Sequence, residues 1–342
     1  MRLHRWLVAP LVCLGIGCAD DGLDGPAPPE DALPPDSSTE AVVDMADPGM
    51  AADAALALPR TYRLTLDAGA FAKTPEHPSA LLYVPRAFVP SPAPALVVYL
   101  HGFNNCVDNI VRPTADAQPC TKGGAARNAY NLIGQLEDSG RNALLLCPEV
   151  AFDQASSDPG RLGTAGGFHA LLAEALSQVS KDLGPIDVDH LGSVVLASHS
   201  GGYAAAAAMA VRGGVKVSEL YLLDSLYGNS ADFEAWIKQD LGSFSGTAPR
   251  RRFATVYTDT GGTLMNNQLL ATRAAGFGLD PGVIVDDRTT STWPPQTYQH
   301  GLLFKRSALA HDGVPRYYFG TLISTSSLPQ HLPMLWAAAE PQ

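Results

Sequence analysis

The stretch "SVVLASHSGGYAAAAAMA", Ser193–Ala210, decides the fold that this sequence predicts. Its first part has the length and β-branched content of a buried strand, Gly201 and Gly202 permit a tight turn, and the alanine-rich second part favours a helix. Two interpretations of Ser200 follow. Its hydroxyl caps the helix, as serine often does, or the turn holds that hydroxyl exposed, where it can attack a substrate.

The same alternation of apolar runs and helical patterns continues along the chain from residue 59 to residue 342. The predicted strands, in chain order, are TYRLTL, ALLYVP, ALVVYL, NALLLC, SVVLAS, ELYLLD, RFATVYT and a run near HGLLFK. The predicted helices are GAARNAYNLIGQLEDSG, FHALLAEALSQVSKDLG, the alanine-rich stretch, DFEAWIKQDL, a segment from about Leu264, and VPRYYFGTLIS. Apolar strands separated by helices predict one α/β domain with a mostly parallel central sheet and helices on both faces.

The first 18 residues, "MRLHRWLVAPLVCLGIGC", predict a signal peptide, because a basic start is followed by a short apolar run and small residues. The segment resembles a bacterial lipoprotein signal, in which Cys18 becomes the lipid-modified first residue. Gly15 departs from the leucine that is usual there. Ala19, in place of an aspartate, favours the outer membrane or cell surface; the alternative is a periplasmic or secreted protein.

Residues 19–58 differ in composition from the rest of the chain. They hold ten Asp or Glu, many prolines and no Lys or Arg, which predicts a disordered acidic tether. The tether accounts for most of the formal net charge of −11, so the folded part is close to neutral.

No basic patch is visible, which argues against a nucleic-acid partner. Contact with a membrane is expected only through the N-terminal lipid, and we expect a monomer.

Three of the five cysteines lie beyond the signal segment. Cys106 and Cys120 bracket one loop, "CVDNIVRPTADAQPC", and in an exported protein this spacing predicts a disulfide. Cys147 ends an apolar run and is expected to be a small buried side chain. The Cys and His residues show no metal-ligand spacing, so the sequence predicts no metal site and no cofactor.

Three short motifs resemble the α/β-hydrolase family: "HGFNN" after the third strand, "SHSGG" at the strand-to-helix turn, and a late "AHDGVP". The family's turn has the pattern G-x-S-x-G, and Ser198 stands here in place of the first glycine. Serine is small enough for that position. The resemblance implies the α/β-hydrolase fold and makes Ser200 the catalytic nucleophile.

The same resemblance implies the groups that assist Ser200. Position after the last predicted strand and before a helix makes His311 the catalytic histidine. The backbone N–H groups of Phe103 and Gly201 would form the oxyanion hole, which stabilises negative charge on the attacked carbonyl oxygen. His101, next to that loop, is expected to be structural.

Two residues compete to be the acid that orients the histidine. Asp224 ends "ELYLLD", and Asp259 follows "RFATVYT". Most of the family carries the acid after the latter strand, whereas pancreatic-type lipases carry it after the former, in a Leu-Asp dipeptide. Asp224 is favoured because a buried strand end leaves little solvent to weaken its hold on the histidine. Asp259 stays the alternative, in a segment typical of a flexible turn.

These residues together predict an exported serine hydrolase that cleaves carboxylic esters, in a small molecule or a polymer, through an acyl-enzyme. A peptidase or amidase with the same three residues is one alternative. A hydrolase-fold binding protein without activity is another. Trp293, Tyr298 and Phe103 are candidates to line an acyl or sugar pocket, although packing explains such aromatics equally well.

Overall fold

The structure is a computed structural model that describes residues 58–246, 249–259 and 262–331. The signal segment, Cys18 and residues 19–57 of the tether lie outside the described residues, and so does the end of the chain from residue 332.

The described residues form a central sheet of nine strands. In chain order the strands are β1 Arg60–Leu64, β2 Ala80–Val84, β3 Ala95–Leu100, β4 Ala143–Pro148, β5 Val194–His199, β6 Glu219–Leu223, β7 Arg252–Tyr257, β8 Ile284–Asp287 and β9 Leu302–Arg306. Their order across the sheet is β1-β2-β4-β3-β5-β6-β7-β9-β8. β2 runs antiparallel to both neighbours, and every other pair from β4 to β8 is parallel.

Helices cover both faces of this sheet. They are α1 Val107–Ile110, α2 Leu132–Asp138, α3 Gly167–Leu183, α4 Tyr203–Arg212, α5 Ser230–Lys238, α6 Thr263–Ala274 and α7 Gly313–Ser324. Buried side chains of α3, α4, α5 and α6 belong to one apolar core, and those of α1, α2 and α7 belong to a second core on the opposite face. The predicted fold class, an α/β-hydrolase fold with a mostly parallel sheet covered on both faces, is confirmed.

The alternation of side chains along a strand explains why the central strands are apolar throughout. In β3, Val98 and Leu100 enter the first core, while Val97 and Tyr99 enter the second. A strand with helices on both faces buries both sets of side chains. Its sequence is therefore apolar throughout and does not alternate between apolar and polar residues.

The structure departs from the prediction at one helix boundary and at an edge strand. The predicted helix over 124–140 is confined to α2, because the backbone N–H groups of Tyr130 and Asn131 bond to the carbonyl oxygens of Ile110 and Arg112. These long-range bonds replace the helical ones. The strand β8 was not predicted at all, since its sequence "IVDD" is short, half-buried and half acidic.

Cys106 and Cys120 are joined by a disulfide, as predicted. The bridge closes a loop that continues to Tyr130, and residues 104–130 are called the stapled loop below. Cys147 lies in β4 and is fully buried, also as predicted. Within the described part of the chain, no helix is long and apolar enough to cross a membrane.

Candidate active site

A cavity of about 290 Å³ opens at the carboxyl ends of the parallel strands, the edge at which sheets of this kind bind ligands. Four segments line it: the chain after β3, the stapled loop, the end of β5, and the chain before α7. Its lining residues are Gly102, Phe103, Asn104, Asn105, Ala126, Arg127, Asn128, Tyr130, His199, Ser200, His311 and Asp312.

Ser200 stands in this cavity on a strained turn between β5 and α4. Its φ of 49° lies in the left-handed region, which costs a residue with a Cβ about 1–2 kcal/mol. The N-cap position of α4 belongs to Gly202, and that end of the helix has no capping bond from a side chain. The interpretation of Ser200 as a helix cap is therefore wrong, and its hydroxyl is free of that role.

Two glycines let the chain pass close to Ser200. A Cβ on Gly102 would lie 2.5 Å from the Cβ of Ser200, so only glycine lets the chain after β3 approach the turn. A Cβ on Gly201 would collide with the ring of Phe103. That ring, 43% exposed, therefore covers the backbone of the turn at the cavity wall.

Ser198, which replaces the first glycine of the family pattern, has a hydrogen-bonding role. Its hydroxyl lies 2.8 Å from that of Ser225, and Ser225 Oγ donates to the carbonyl oxygen of Ser200 at 2.9 Å. Both hydroxyl-bearing residues are fully buried. The pair ties the chain after β6 to the strained turn. Ser225 is not among the residues predicted from the sequence, although its place beside Asp224 was a signal for it.

Asp224 ends β6 with a φ of 47° and no exposed surface. Its carboxylate accepts hydrogen bonds from Thr258 N at 3.0 Å, Thr258 Oγ1 at 2.7 Å, Thr263 Oγ1 at 2.7 Å and His311 Nδ1 at 2.7 Å. Burial raises the pKa of Asp224, but these hydrogen bonds outweigh burial and hold that pKa below its ordinary value. The carboxylate is thus ionised although it is out of contact with water.

His311 links this carboxylate to the cavity. Because Nδ1 donates to Asp224, Nε2 is the nitrogen left to accept a proton. Among the described residues, the Ser200 hydroxyl and the His311 ring line the same cavity without a direct hydrogen bond. Asp259 lies elsewhere: it is exposed and paired with Arg306, whose Nε donates to it at 2.7 Å.

A second histidine packs against His311. The ring centroids of His199 and His311 are 4.4 Å apart, and His199 is buried. Burial, and next the positive charge of protonated His311, lower the pKa of His199 to about 3. His199 is therefore neutral near pH 7 and adds no charge that would oppose protonation of His311.

Four hydrogen bonds latch the stapled loop to the chain that carries His311. Tyr130 Oη and Asn128 Nδ2 donate to the two carboxylate oxygens of Asp312, at 2.9 and 2.7 Å. Arg316 donates to the carbonyl oxygen of Ala129 and to Asn128 Oδ1. Asp312 is thus occupied by the stapled loop. We call these contacts the loop latch.

The structure brings four of the predicted site residues, Ser200, His311, Phe103 and Gly201, to this cavity or its wall, with Asp224 directly behind His311. It does not bring Asp259 to His311. His101 is buried, and its Nε2 contacts the Glu149 carboxylate, which agrees with the expectation that His101 has a structural role.

Two aromatic candidates for the pocket are not at the cavity. Trp293 and Tyr298 pack against each other, with ring centroids 5.6 Å apart, and Tyr298 also contacts Tyr318 of α7. The expectation that these two rings line a substrate pocket is therefore wrong, because they complete the apolar core beneath α7. Within the described ranges, no cluster of three or more His, Cys, Asp or Glu is arranged to hold a metal ion.

No protein-family model matches this chain, and no curated protein matches it either. Solved structures do resemble it. A feruloyl esterase module from Clostridium thermocellum is 11% identical, with a TM-score of 0.47 over 80% of this chain and 89% of that one. The S-formylglutathione hydrolase FrmB from Staphylococcus aureus is 11% identical, with a TM-score of 0.41 over 78% and 94%.

The esterase LipW from Mycobacterium marinum is 13% identical, with a TM-score of 0.39 over 78% of this chain and 79% of that one. At identities this low, the likeness extends to the fold alone.

The lowered pKa of Asp224 predicts a pH dependence of stability. A carboxyl group whose folded-state pKa is depressed contributes stability above its unfolded-state pKa, and this contribution is lost as the pH falls through the folded-state value. Asp224→Asn is therefore expected to lower the free energy of unfolding more at pH 7 than in acid, below the ordinary carboxyl pKa. Urea unfolding of both proteins at the two pH values measures this.

Asp259→Asn is the matched control, because its ion pair is exposed and screened by solvent. A destabilisation by Asp224→Asn that is equal at both pH values would contradict the ionised, hydrogen-bonded carboxylate described above.

Proposed function

We propose that this protein is a serine hydrolase that cleaves carboxylic esters, with Ser200 as nucleophile, His311 as general base and Asp224 as the residue that orients His311. One observation carries the proposal. A buried, ionised carboxylate holds Nδ1 of a histidine at 2.7 Å, and that histidine lines the same cavity as a serine on a strained turn. Strain at such a position is typical of functional sites.

The reaction would proceed in two halves. Ser200 Oγ attacks the carbonyl carbon of the ester while His311 Nε2 takes its proton, and the tetrahedral intermediate then expels the alcohol, which takes that proton from His311. Water attacks the acyl-enzyme while the same nitrogen takes its proton, and the second tetrahedral intermediate then releases the acid as Ser200 Oγ takes that proton back from His311. The Ser200–His311 hydrogen bond would form when substrate binds, since such contacts are often loose in a free enzyme.

The backbone N–H groups of Phe103 and Gly201 are proposed to stabilise the negative oxygen of each tetrahedral intermediate. The close approach of Gly102 to Ser200 and the ring of Phe103 over Gly201 support this, because they fix both segments beside the serine. Asp224 would keep the proton of His311 on Nδ1 and stabilise the imidazolium that forms during attack.

The composition of the cavity supports a substrate with small or polar groups near the scissile bond. Asn104, Asn105, Arg127, Asn128 and Asp312 contribute to its lining, and its volume is about 290 Å³. A long acyl chain would bury apolar surface against these polar groups without giving them hydrogen-bond partners.

From the sequence alone we also propose where in the cell this protein is located. The protein would be exported, lipid-modified at Cys18 and held off the outer membrane by the tether of residues 19–58. The mass of the mature N-terminal peptide tests this, because an unmodified terminus at another residue contradicts it.

The assignment of Ser200 predicts that Ser200→Ala abolishes hydrolysis of p-nitrophenyl acetate and labelling by a fluorophosphonate. The free energy of unfolding is expected to change by less than about 1 kcal/mol, because alanine fits the same turn and loses only a hydroxyl that caps nothing. Near-native activity or labelling in this variant would overturn the proposal.

The two acids are separated by their amide variants. Asp224→Asn is expected to lower kcat by about 10²–10⁴, because the amide no longer holds the proton of His311 on Nδ1. Asp259→Asn removes an exposed partner of Arg306 and is expected to change kcat by less than about tenfold. Steady-state kinetics on one ester compare the two variants. A larger loss of kcat in Asp259→Asn than in Asp224→Asn would assign the orienting role to Asp259.

The polar cavity predicts a preference for short acyl chains. Across p-nitrophenyl esters from acetate to decanoate, kcat/KM is expected to fall as the chain outgrows the cavity. A rise in kcat/KM with chain length would contradict the proposed substrate class and indicate a lipase.

A further inference from the structure

A second cavity of about 290 Å³ lies outside the Ser200 cavity and shares none of its lining residues. Residues 70–79, between β1 and β2, form one wall, and residues 149–158, after β4, form the other. We call it the side pocket. It opens at the same edge of the sheet, where β4 ends beside β3.

Hydrogen bonds join the two walls of the side pocket to each other and to the chain that lines the Ser200 cavity. Glu149 N donates to the carbonyl oxygen of Ser79 at 2.9 Å and closes the pocket at its base. The wall after β4 is bonded to the chain that borders Ser200, because Asn104 N donates to the carbonyl oxygen of Gln154 at 2.9 Å. The two cavities are thus neighbours on either side of one loop.

The wall after β4 is strained. Ala151 and Asp153 both have a φ of 48°, in a region that residues with a Cβ rarely occupy. Two such residues within three positions need support from their surroundings, and strained backbone of this kind clusters at ligand sites.

Aromatic rings give the side pocket its apolar surface. His77 and Phe152 come from opposite walls and stack with ring centroids 3.9 Å apart and planes 14° from parallel. Phe71 also lines the pocket and leaves 38% of its surface exposed. Because His77 and Phe152 cover each other's facing surfaces, Phe71 offers the exposed ring on which the C–H groups of a ligand can pack.

Two buried polar atoms at the side pocket lack a partner. Thr74 Oγ1 and His77 Nδ1 make no hydrogen bond within residues 58–246, 249–259 and 262–331. Buried polar groups without partners are rare and costly. A hydroxyl group suits both, because the threonine hydroxyl and the histidine ring can each donate or accept, as a ligand hydroxyl can.

The charged groups of the side pocket are occupied by other partners. The Glu149 carboxylate contacts His101 Nε2 at 2.5 Å and accepts a hydrogen bond from Val107 N at 3.1 Å. The ammonium of Lys73 lies 2.6 Å from Asp67. Asp158, the third charged residue of the lining, accepts a hydrogen bond from Gly160 N at 2.9 Å through Oδ1. The available chemistry is therefore aromatic faces, neutral hydrogen-bonding groups and a carboxylate oxygen, which can accept a hydrogen bond from a ligand hydroxyl and repels an anion.

We propose that the side pocket binds a neutral pyranose sugar ring, whose C–H face packs on the aromatic surface and whose hydroxyls bond Thr74 and His77. The volume accommodates one such ring. That this sugar belongs to the ester cleaved at Ser200 rests on the proposed function, whereas the binding itself does not. The bond from Asn104 to Gln154 places the two cavities close enough for one extended substrate to enter both.

Binding of methyl β-D-xylopyranoside and methyl β-D-glucopyranoside to the full chain tests the proposal, by saturation-transfer NMR and calorimetry at millimolar sugar. Saturable binding at one site is expected. Thr74→Val, which keeps the side-chain shape and loses the hydroxyl, is expected to weaken binding about 3- to 10-fold. Phe71→Ala is expected to weaken it at least as much, because a packing face is lost.

Tyr317→Ala is the matched control, since it removes an exposed aromatic ring of α7 outside the side pocket. No saturable binding by the wild-type protein, or binding equal in Thr74→Val, Phe71→Ala and wild type, would overturn the proposal. So would stronger binding of p-hydroxybenzoate, an aromatic acid without a sugar ring.

Sugar titration and an ester-hydrolysis assay on the same wild-type protein separate this proposal from the proposed function. Sugar binding retained in a wild-type protein that shows no ester hydrolysis would overturn the hydrolase and support the side pocket. Ester hydrolysis without sugar binding would do the reverse.

Discussion

The hydrogen bond between Asp224 and His311 joins two loops that are 87 residues apart in sequence, and the site depends on it. An ionised carboxylate without solvent contact is costly unless hydrogen bonds replace its water. Thr258 and Thr263 supply those bonds, so β7 and α6 stabilise a charge that β6 carries. The strands β6 and β7 and the helix α6 must therefore all be in place before His311 has a fixed orientation.

Further hydrogen bonds fix the chain segments on either side of the Asp224–His311 pair. Ser198 and Ser225 tie the turn at Ser200 to the chain that begins with Asp224, and the loop latch ties the chain after His311 to the stapled loop. The left-handed residues after β5 and β6 cost about 1–2 kcal/mol each, and these hydrogen bonds hold them in place. The loops around the cavity are therefore hydrogen-bonded to one another as well as connected to the strands that they follow.

Much of the fold could be predicted from the sequence, because strands buried on both faces are apolar throughout and stand out between helices. β8 could not, since an edge strand with two aspartates lacks that signal. The start of α2 was misplaced because its flanking residues bond to a segment nearly 20 residues away, which no local pattern records. Long-range hydrogen bonds decided both the boundary of that helix and the paths of the loops.

The candidate site divides in the same way. Ser200 and His311 follow strand ends, so their place at one edge could be predicted. The sequence favoured Asp224 but left Asp259 as an alternative, because both follow parallel strands. What distinguishes them is a pair of threonines at one and an exposed arginine at the other. The second cavity was not predicted, since its aromatic and polar groups come from two loops that meet only in the folded chain.

The burial of Cys147 has a consequence for oxidative folding. Three cysteines lie in the described part of the chain, and any two of them can in principle pair. Once β4 is inserted in the sheet, burial raises the pKa of the Cys147 thiol, and it holds almost no thiolate. Thiol–disulfide exchange needs both a thiolate and access to the sulfur. Among these three cysteines, sheet formation thus removes one thiol from the exchange reaction and leaves Cys106 and Cys120 to pair with each other.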